Sequence, residues 1–365
     1  MQVPFLNLKS SYLEIQEELD RELLNFYKNG QYVGGARLHA FENNFSTYVE
    51  AESCVGLANG LEALELSLKA LDIGEGDEVI VPAHTFIATW LAVTNCGAIP
   101  IPIECDLETY SINIQKIEKV LSQKTRAIIP VHLYGQPADM DQIIDLAKSY
   151  NLHVIEDAAQ AHGASYKSRK IGAHGDIVAW SFYPGKNLGA FGDGGAITTN
   201  NPVLADKIRV LSNYGSKKKY IHDVVGVNSR LDPIQAVVLD IKLKYLDSWN
   251  DRRRKIAKKY LTELKDTDLI LPDQFDIENG AWHLFPVRTK KRDGLISALK
   301  KEEIDLLIHY PIPPHKQQAY SNQFTGWELP VAERMASQLL SLPIGPHMEL
   351  DQVSFVINRI KNYLS

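Results

Sequence analysis

Apolar positions follow two rhythms along this chain, and the switch between them outlines its architecture. Ile15, Leu19 and Leu23 recur every four residues, which sets them on one face of a helix. Ser11 and Glu14 have the spacing of a capping box at its start, and Gly30 supplies a stop. Leu61, Leu64, Leu68 and Leu71 repeat the helical spacing behind Asn59 and Gly60. The pattern then turns to short apolar runs of strand length, at 78–81, 127–131, 153–156, 177–182 and 196–199. Between two of these, Met140, Ile143, Ile144 and Ala147 mark an amphipathic helix. Strands alternating with helices at this spacing predict an α/β fold, with a mainly parallel sheet flanked by helices on both faces.

From about Asp232 the pattern predicts one long charged helix, whose run Asp251, Arg252, Arg253, Arg254 with Lys258 and Lys259 reads as a solvated face. Beyond it come a strand-like run at 282–287, two or three helices, and a proline-rich loop at 308–315. A length of 365 residues suggests two domains at roughly 150 residues each. The boundary is expected near 245, giving a large α/β domain with a helical lead (1–245) and a smaller α+β domain (246–365).

Charge narrows the function classes. Lys plus Arg number 39 against 45 Asp plus Glu, a formal net charge of −6, and no basic stripe suited to nucleic acid stands out. No apolar run reaches the roughly 18 residues of a membrane span, and the first twenty residues lack the basic start and apolar core of a signal peptide. Cys54, Cys96 and Cys105 are odd in number and widely spaced, so they read as packing, and a reducing cytoplasm is the expected setting.

Three segments carry candidate chemistry. Asn59 and Gly60 open a helix whose first N–H groups suit a phosphate. Asp157 ends an apolar strand at the carboxyl edge of the sheet, where open α/β folds bind ligands. Ser181 and Lys186 follow the next apolar strand, inside a glycine-rich loop ending in Gly192, Gly194 and Gly195. That loop is neither a Walker A motif, since Asn187 follows Lys186, nor a dinucleotide fingerprint, since it leads into a strand. Together they supply what pyridoxal 5'-phosphate needs: a lysine for its aldehyde, an acid for its ring nitrogen and donors for its phosphate.

The segments PFLNL, PAHTFIAT, VHLYGQPADM, EDAAQAHGA, SFYPGKNLGAFGDGGA, GVNSRLDPIQA and HYPIPPHKQQ, in this order along the chain, resemble the DegT/DnrJ/EryC1/StrS sugar aminotransferases of the fold-type I class. The resemblance implies that Lys186 carries the cofactor as a Schiff base, that Asp157 pairs with the pyridine nitrogen and that Gln160 bonds the ring hydroxyl. Phe86 is then the aromatic on the ring face, and the phosphate rests on Gly60, Leu61 and Ser181. Asn228 resembles the family asparagine that reaches the phosphate from a neighbouring subunit, which implies a homodimer with shared active sites. Lys186 also separates the chain from the family's sugar dehydratases, which have a histidine there.

The same resemblance implies ping-pong transfer from L-glutamate to a nucleotide-linked ketosugar. The loop from Ile308 to His315 is similar to that of members aminating C-3. It makes His309, Tyr310 and His315 substrate contacts, with Tyr183 and Lys217, Lys218 and Lys219 as candidates for the nucleotide. Three prolines in that loop forbid a helix, so its two histidines are not expected to hold a metal. The expected acceptor is a dTDP-linked 3-keto-6-deoxyhexose, giving a 3-amino-3,6-dideoxy sugar for surface polysaccharide. A UDP-linked 3-ketosugar and a C-4 aminotransferase are the alternatives, and a regulatory protein that binds the cofactor without turnover is the remote one. Two positions depart from the family pattern. Asn59-Gly60 replaces a Gly-Ser or Gly-Thr step, and Asn-Ser-Arg-Leu-Asp from Asn228 replaces the commoner Asn-Tyr-Arg-Met.

Overall fold

The computed structural model describes residues 1–364. Its first helices are α1 (Leu8–Glu14), α2 (Gln16–Asn29) and α3 (Ala36–Tyr48). The expected capping box is not formed. Asn7 caps α1 by accepting from the Ser10 N–H at 3.1 Å, and the Ser11 hydroxyl turns back onto the Leu8 carbonyl. Glu14 is instead drawn outward by Arg252, Trp249 and His347, so a tertiary ion pair prevails over the local cap. Gly30 does end α2, with a left-handed φ of 66°.

The middle of the chain alternates β1 (Ser53–Leu57), α4 (Gly60–Ala70), β2 (Glu78–Pro82), α5 (Ala88–Asn95), β3 (Ile99–Ile103), β4 (Thr125–Ile128), α6 (Met140–Ser149) and β5 (His153–Asp157). A small hairpin of β6 (Ser165–Tyr166) and β7 (Arg169–Lys170) precedes β8 (Ile177–Ser181) and β9 (Gly195–Thr199). The sheet runs β1-β9-β8-β5-β4-β2-β3, and β9 alone is antiparallel to its neighbours. The expected parallel sheet is therefore present. Its two edge strands, β1 and β3, were not in the apolar pattern. In β3 the sequence Ile-Pro-Ile-Pro-Ile lacks two N–H donors, which an outermost strand tolerates.

The rest comprises α7 (Pro202–Leu211), α8 (Pro233–Leu243), α9 (Leu246–Leu264), β10 (Phe285–Arg288), α10 (Arg292–Lys301), α11 (Pro330–Gln338), β11 (Leu339–Leu342) and α12 (Leu350–Leu364). The single long helix expected from Asp232 is two helices, because its halves serve different cores. Ala236, Leu239 and Leu243 of α8 pack beside Phe41 and Trp180, whereas Ile256, Ala257, Tyr260 and Leu264 of α9 pack with Phe285 and Val356 around the β10–β11 pair. The strand expected at 282–287 starts at Phe285, since Trp282 holds φ at 46°, outside the extended region. Nor is the charge run on α9 wholly solvated: Arg253 is only 3% exposed.

Candidate active site

Strands β5 and β8 lie side by side, with Asp157 in register with Ala179, so the carboxyl ends of both open onto one sheet edge. Asp157 is buried. One carboxylate oxygen accepts from the Thr89 hydroxyl at 2.9 Å and the other from the Ala159 N–H at 3.2 Å. Burial pushes its carboxyl above the usual range, against the opposing pull of Thr89 and of Lys186. Thr89 sits in the first turn of α5 and is itself held by Thr85 at 2.9 Å.

Lys186 sits in the loop between β8 and β9, its backbone N–H closed onto the Tyr183 carbonyl at 2.8 Å. Among the described residues its ammonium has no ion pair and no hydrogen bond. Burial lowers its pKa from 10.5 to about 8, although Asp157 acts in the other direction. A lysine so placed is readily neutral, and a neutral amine is nucleophilic. It lines a cavity of ≈450 Å³ together with Gln160, Tyr183, His309 and Tyr310. A larger groove of ≈610 Å³ near Asp106 and Gln136 includes none of these residues.

The helix start beside the end of β8 is built for close approach. Asn59 caps α4 by accepting from the Glu62 N–H at 2.9 Å. A Cβ on Gly60 would stand 2.6 Å from Ser181 Cβ and 3.3 Å from its hydroxyl, so only glycine lets α4 press on β8. The free N–H groups at a helix start and the Ser181 hydroxyl thereby converge, a cradle that fits a phosphate.

Gln160 is pinned between two tyrosines. Its Oε1 accepts from the Tyr134 N–H at 2.6 Å and its Nε2 donates to the Tyr310 hydroxyl at 3.0 Å. The Tyr310 ring lies 5.4 Å from the exposed ring of Phe86, and Tyr134 donates to the His309 carbonyl at 2.5 Å. His309 Nδ1 meets the Ser341 hydroxyl at 2.9 Å.

The other expected contacts lie elsewhere. His315 is not part of the cavity wall; it is buried and bonded to Glu333 at 3.1 Å, because the loop turns away at Pro313 and Pro314. Lys217, Lys218 and Lys219 are exposed on the loop after α7, and Asn228 is exposed where it bridges Asn213. Within one chain none of these four lines the Lys186 cavity.

Sequence reasoning missed Thr89, Asn187, His283 and Arg253. Asn187 donates to Asn250 Oδ1 at 2.9 Å and to the Ala281 carbonyl at 2.7 Å. Its own oxygen must therefore be the acceptor facing His283 Nδ1 at 3.1 Å. His283 is thus fixed with Nδ1 protonated and, among the described residues, no partner on its other nitrogen, and burial with the nearby Lys186 holds its pKa well below the ordinary value. Thr89 follows Phe86 by one turn in PAHTFIAT, a spacing that does signal a shared face. The other three come from separate segments with no local signal.

A nucleophilic lysine, a buried acid and a phosphate cradle on one edge of this sheet define a pyridoxal phosphate enzyme of the fold-type I class. The chain belongs to the DegT/DnrJ/EryC1/StrS aminotransferase family, which residues 13–361 match, and it is a pyridoxal phosphate-dependent sugar aminotransferase. It is 49% identical over 99% of its length, and 96% of the relative's, to dTDP-3-amino-3,4,6-trideoxy-alpha-D-glucose transaminase of Streptomyces venezuelae. It is 48% identical, over 99% of both chains, to dTDP-3-amino-3,6-dideoxy-alpha-D-galactopyranose transaminase of Aneurinibacillus thermoaerophilus. The crystal structure of S. venezuelae DesV in complex with a ketimine intermediate superposes with a TM-score of 0.98 at 48% identity, covering 100% of this chain and 99% of that one. Bacillus subtilis NtdA with bound cofactor PMP matches at 0.93 and 32% identity, covering 100% of this chain and 85% of that one. No helix among the described residues is long and apolar enough to cross a membrane.

Proposed function

We propose that this enzyme moves an amino group from L-glutamate to C-3 of a dTDP-linked 3-keto-6-deoxyhexose, supplying a 3-amino-3,6-dideoxy sugar for surface polysaccharide from the cytoplasm. The observation that carries the chemistry is the unpaired Lys186 amine in the wall of the cavity, depressed by burial to about 8. Support for the acceptor comes from the two relatives above, whose names both specify a dTDP-linked 3-amino sugar.

When bound, pyridoxal phosphate supplies an aromatic ring that withdraws electrons from the carbon losing its proton. The chain's own groups do the rest. The neutral Lys186 amine would take the proton from the donor carbon in the first half-reaction and, as the ammonium, deliver one to the sugar carbon that receives the nitrogen in the second. Arginine there could not, since it does not deprotonate. Asp157 would hold a proton at the ring nitrogen, and Thr89 keeps its carboxylate aligned. Gly60, Leu61 and Ser181 would hold the phosphate, Phe86 would cover the ring face, and Gln160 would bond the ring hydroxyl. His309, Tyr310 and Tyr183 orient the sugar. Asn228 reaches the phosphate of a second copy, with Lys217, Lys218 and Lys219 near the nucleotide, so the working unit is a homodimer of two-domain chains divided near residue 245.

The test is the visible spectrum of the purified holoenzyme. L-glutamate should bleach the cofactor band, and a dTDP-3-ketosugar should restore it. Recovery with a 4-ketosugar alone would move the amination to C-4, and recovery with a UDP-linked sugar alone would change the nucleotide. No bleaching by any amino acid would contradict the reading.

A further inference from the structure

Arg253 belongs to the charge run on α9 yet is turned inward. Its Nη1 alone serves three backbone carbonyls, those of Trp282, His283 and Ile344, at 3.3, 3.2 and 3.1 Å. The opposite edge of the guanidinium is unused. Among the described residues, Nε is buried without a hydrogen-bond partner, Nη2 makes no bond, and no carboxylate pairs with the group. A role confined to tying down three carbonyls leaves that edge unexplained, because buried cations ordinarily keep an anion. Burial brings the pKa down to about 10, so the group is still charged at neutral pH.

The same guanidinium lines the ≈450 Å³ cavity with Lys186 and His283, and the one carboxylate on that wall, Asp305, is exposed at the rim. Lys242 reinforces the imbalance. It is buried, spends its ammonium on the Gly189 carbonyl at 2.6 Å, and joins Arg253 and Lys186 around a smaller pocket whose lining has no acid. Of these three groups Lys186 has the Asp157 carboxylate acting on it and Lys242 has its carbonyl, so among the described residues Arg253 is the one whose free edge nothing answers.

We propose that Arg253 binds a carboxylate of the amino-acid donor through Nε and Nη2, in the cavity beside Lys186. The inference rests on the donor reading given above. Its chemistry discriminates between the two substrates. An amino acid bears a carboxylate on the very carbon that loses its proton, so an anion must sit close to Lys186 during the first half-reaction. The pyrophosphate of a sugar nucleotide is separated from C-3 by the ring and cannot be the group that Arg253 meets there. The planar fork also matches a carboxylate in two parallel hydrogen bonds, which a lysine cannot offer.

The experiment compares wild-type, Arg253→Lys and Arg253→Met holoenzymes by calorimetric titration with glutarate, a dicarboxylate without an amine, and with dTDP. Arg253→Lys keeps a cation beneath the three carbonyls should the methionine variant fold poorly, and unchanged dTDP affinity reports an intact site. Glutarate affinity should fall about tenfold to hundredfold in either variant, the size of a lost charge-assisted pair. The glutamate concentration for half-maximal bleaching should rise in parallel, with the ketosugar half-reaction unchanged. Glutarate affinity equal to wild type in both variants, with dTDP still bound, would overturn the proposal while leaving the donor reading standing. A wild-type enzyme that glutamate cannot bleach, but whose glutarate affinity still depends on Arg253, would instead overturn the choice of donor.

Discussion

At the scale of single residues, the chemistry depends on the protonation state of one buried amine. Lys186 falls from 10.5 to about 8 in the folded apo chain, chiefly by burial. Its reaction with free pyridoxal phosphate should therefore accelerate with pH and level off above about 8, read as growth of the visible band; a midpoint near 10.5 would contradict the burial. The sign for stability follows from linkage. Between the folded and unfolded pKa values the unfolded chain holds more protons, so the apoenzyme should gain stability as pH rises from 8 to 10.5. Lys186→Met should lack that gain in a thermal melt. Thr89→Val removes a hydroxyl donor from a buried carboxylate oxygen, which costs about 1–3 kcal/mol where the bond is lost. Its effect should appear as weaker cofactor retention on dialysis, with the fold unchanged by circular dichroism. Lys186 and Asp157 were legible because each follows an apolar strand, where polar residues come to the sheet edge. Arg253 was not, because a charge run on a helix gives no sign that one member points inward.

At the scale of elements, two contacts hold the edge in shape. The first is α4 against β8. Gly60→Ala would place a methyl 2.6 Å from Ser181 Cβ, forcing the helix away at a cost of about 1–3 kcal/mol. The expected result is a lower Tm and a cofactor phosphate held more weakly, both measurable by thermal shift with and without cofactor. The second is the buried pair behind Asp157. The Ala138 N–H bonds His132 Nδ1 at 3.0 Å, so Nε2 carries the proton that reaches Glu156 at 2.9 Å. Burial would raise the Glu156 carboxyl, yet the bonds from His132 and Gly175 hold it below the usual range. Removing that donor from a buried carboxylate should cost about 1–3 kcal/mol, so His132→Phe should unfold at lower urea. The apolar rhythm found β2, β4, β5, β8, β9 and α6, since each buries a continuous face. It missed β1 and β3, whose short runs at the sheet margin contain glycine or proline. It also joined α8 to α9, because nothing local records that the two helices pack into different cores.

At the scale of the whole molecule, the expected sharing of sites makes a distinctive claim. Val225 is 96% exposed and Tyr220 83%, on the same excursion that carries Lys217, Lys218, Lys219 and Asn228. A second copy covering this excursion would bury these side chains. Mixing Lys186→Ala with Asn228→Ala chains under exchange should restore roughly a quarter of wild-type activity, from statistical pairing in a twofold assembly; no restoration would mean that each chain's site is self-contained. The central claim is the transfer itself, and its most direct test follows the nitrogen atom. Incubating the holoenzyme with 15N-labelled L-glutamate and a dTDP-3-keto-6-deoxyhexose should yield a sugar whose 15N couples to the proton on C-3 in the NMR spectrum. Label that stays in glutamate, or that appears on another carbon, would contradict the account.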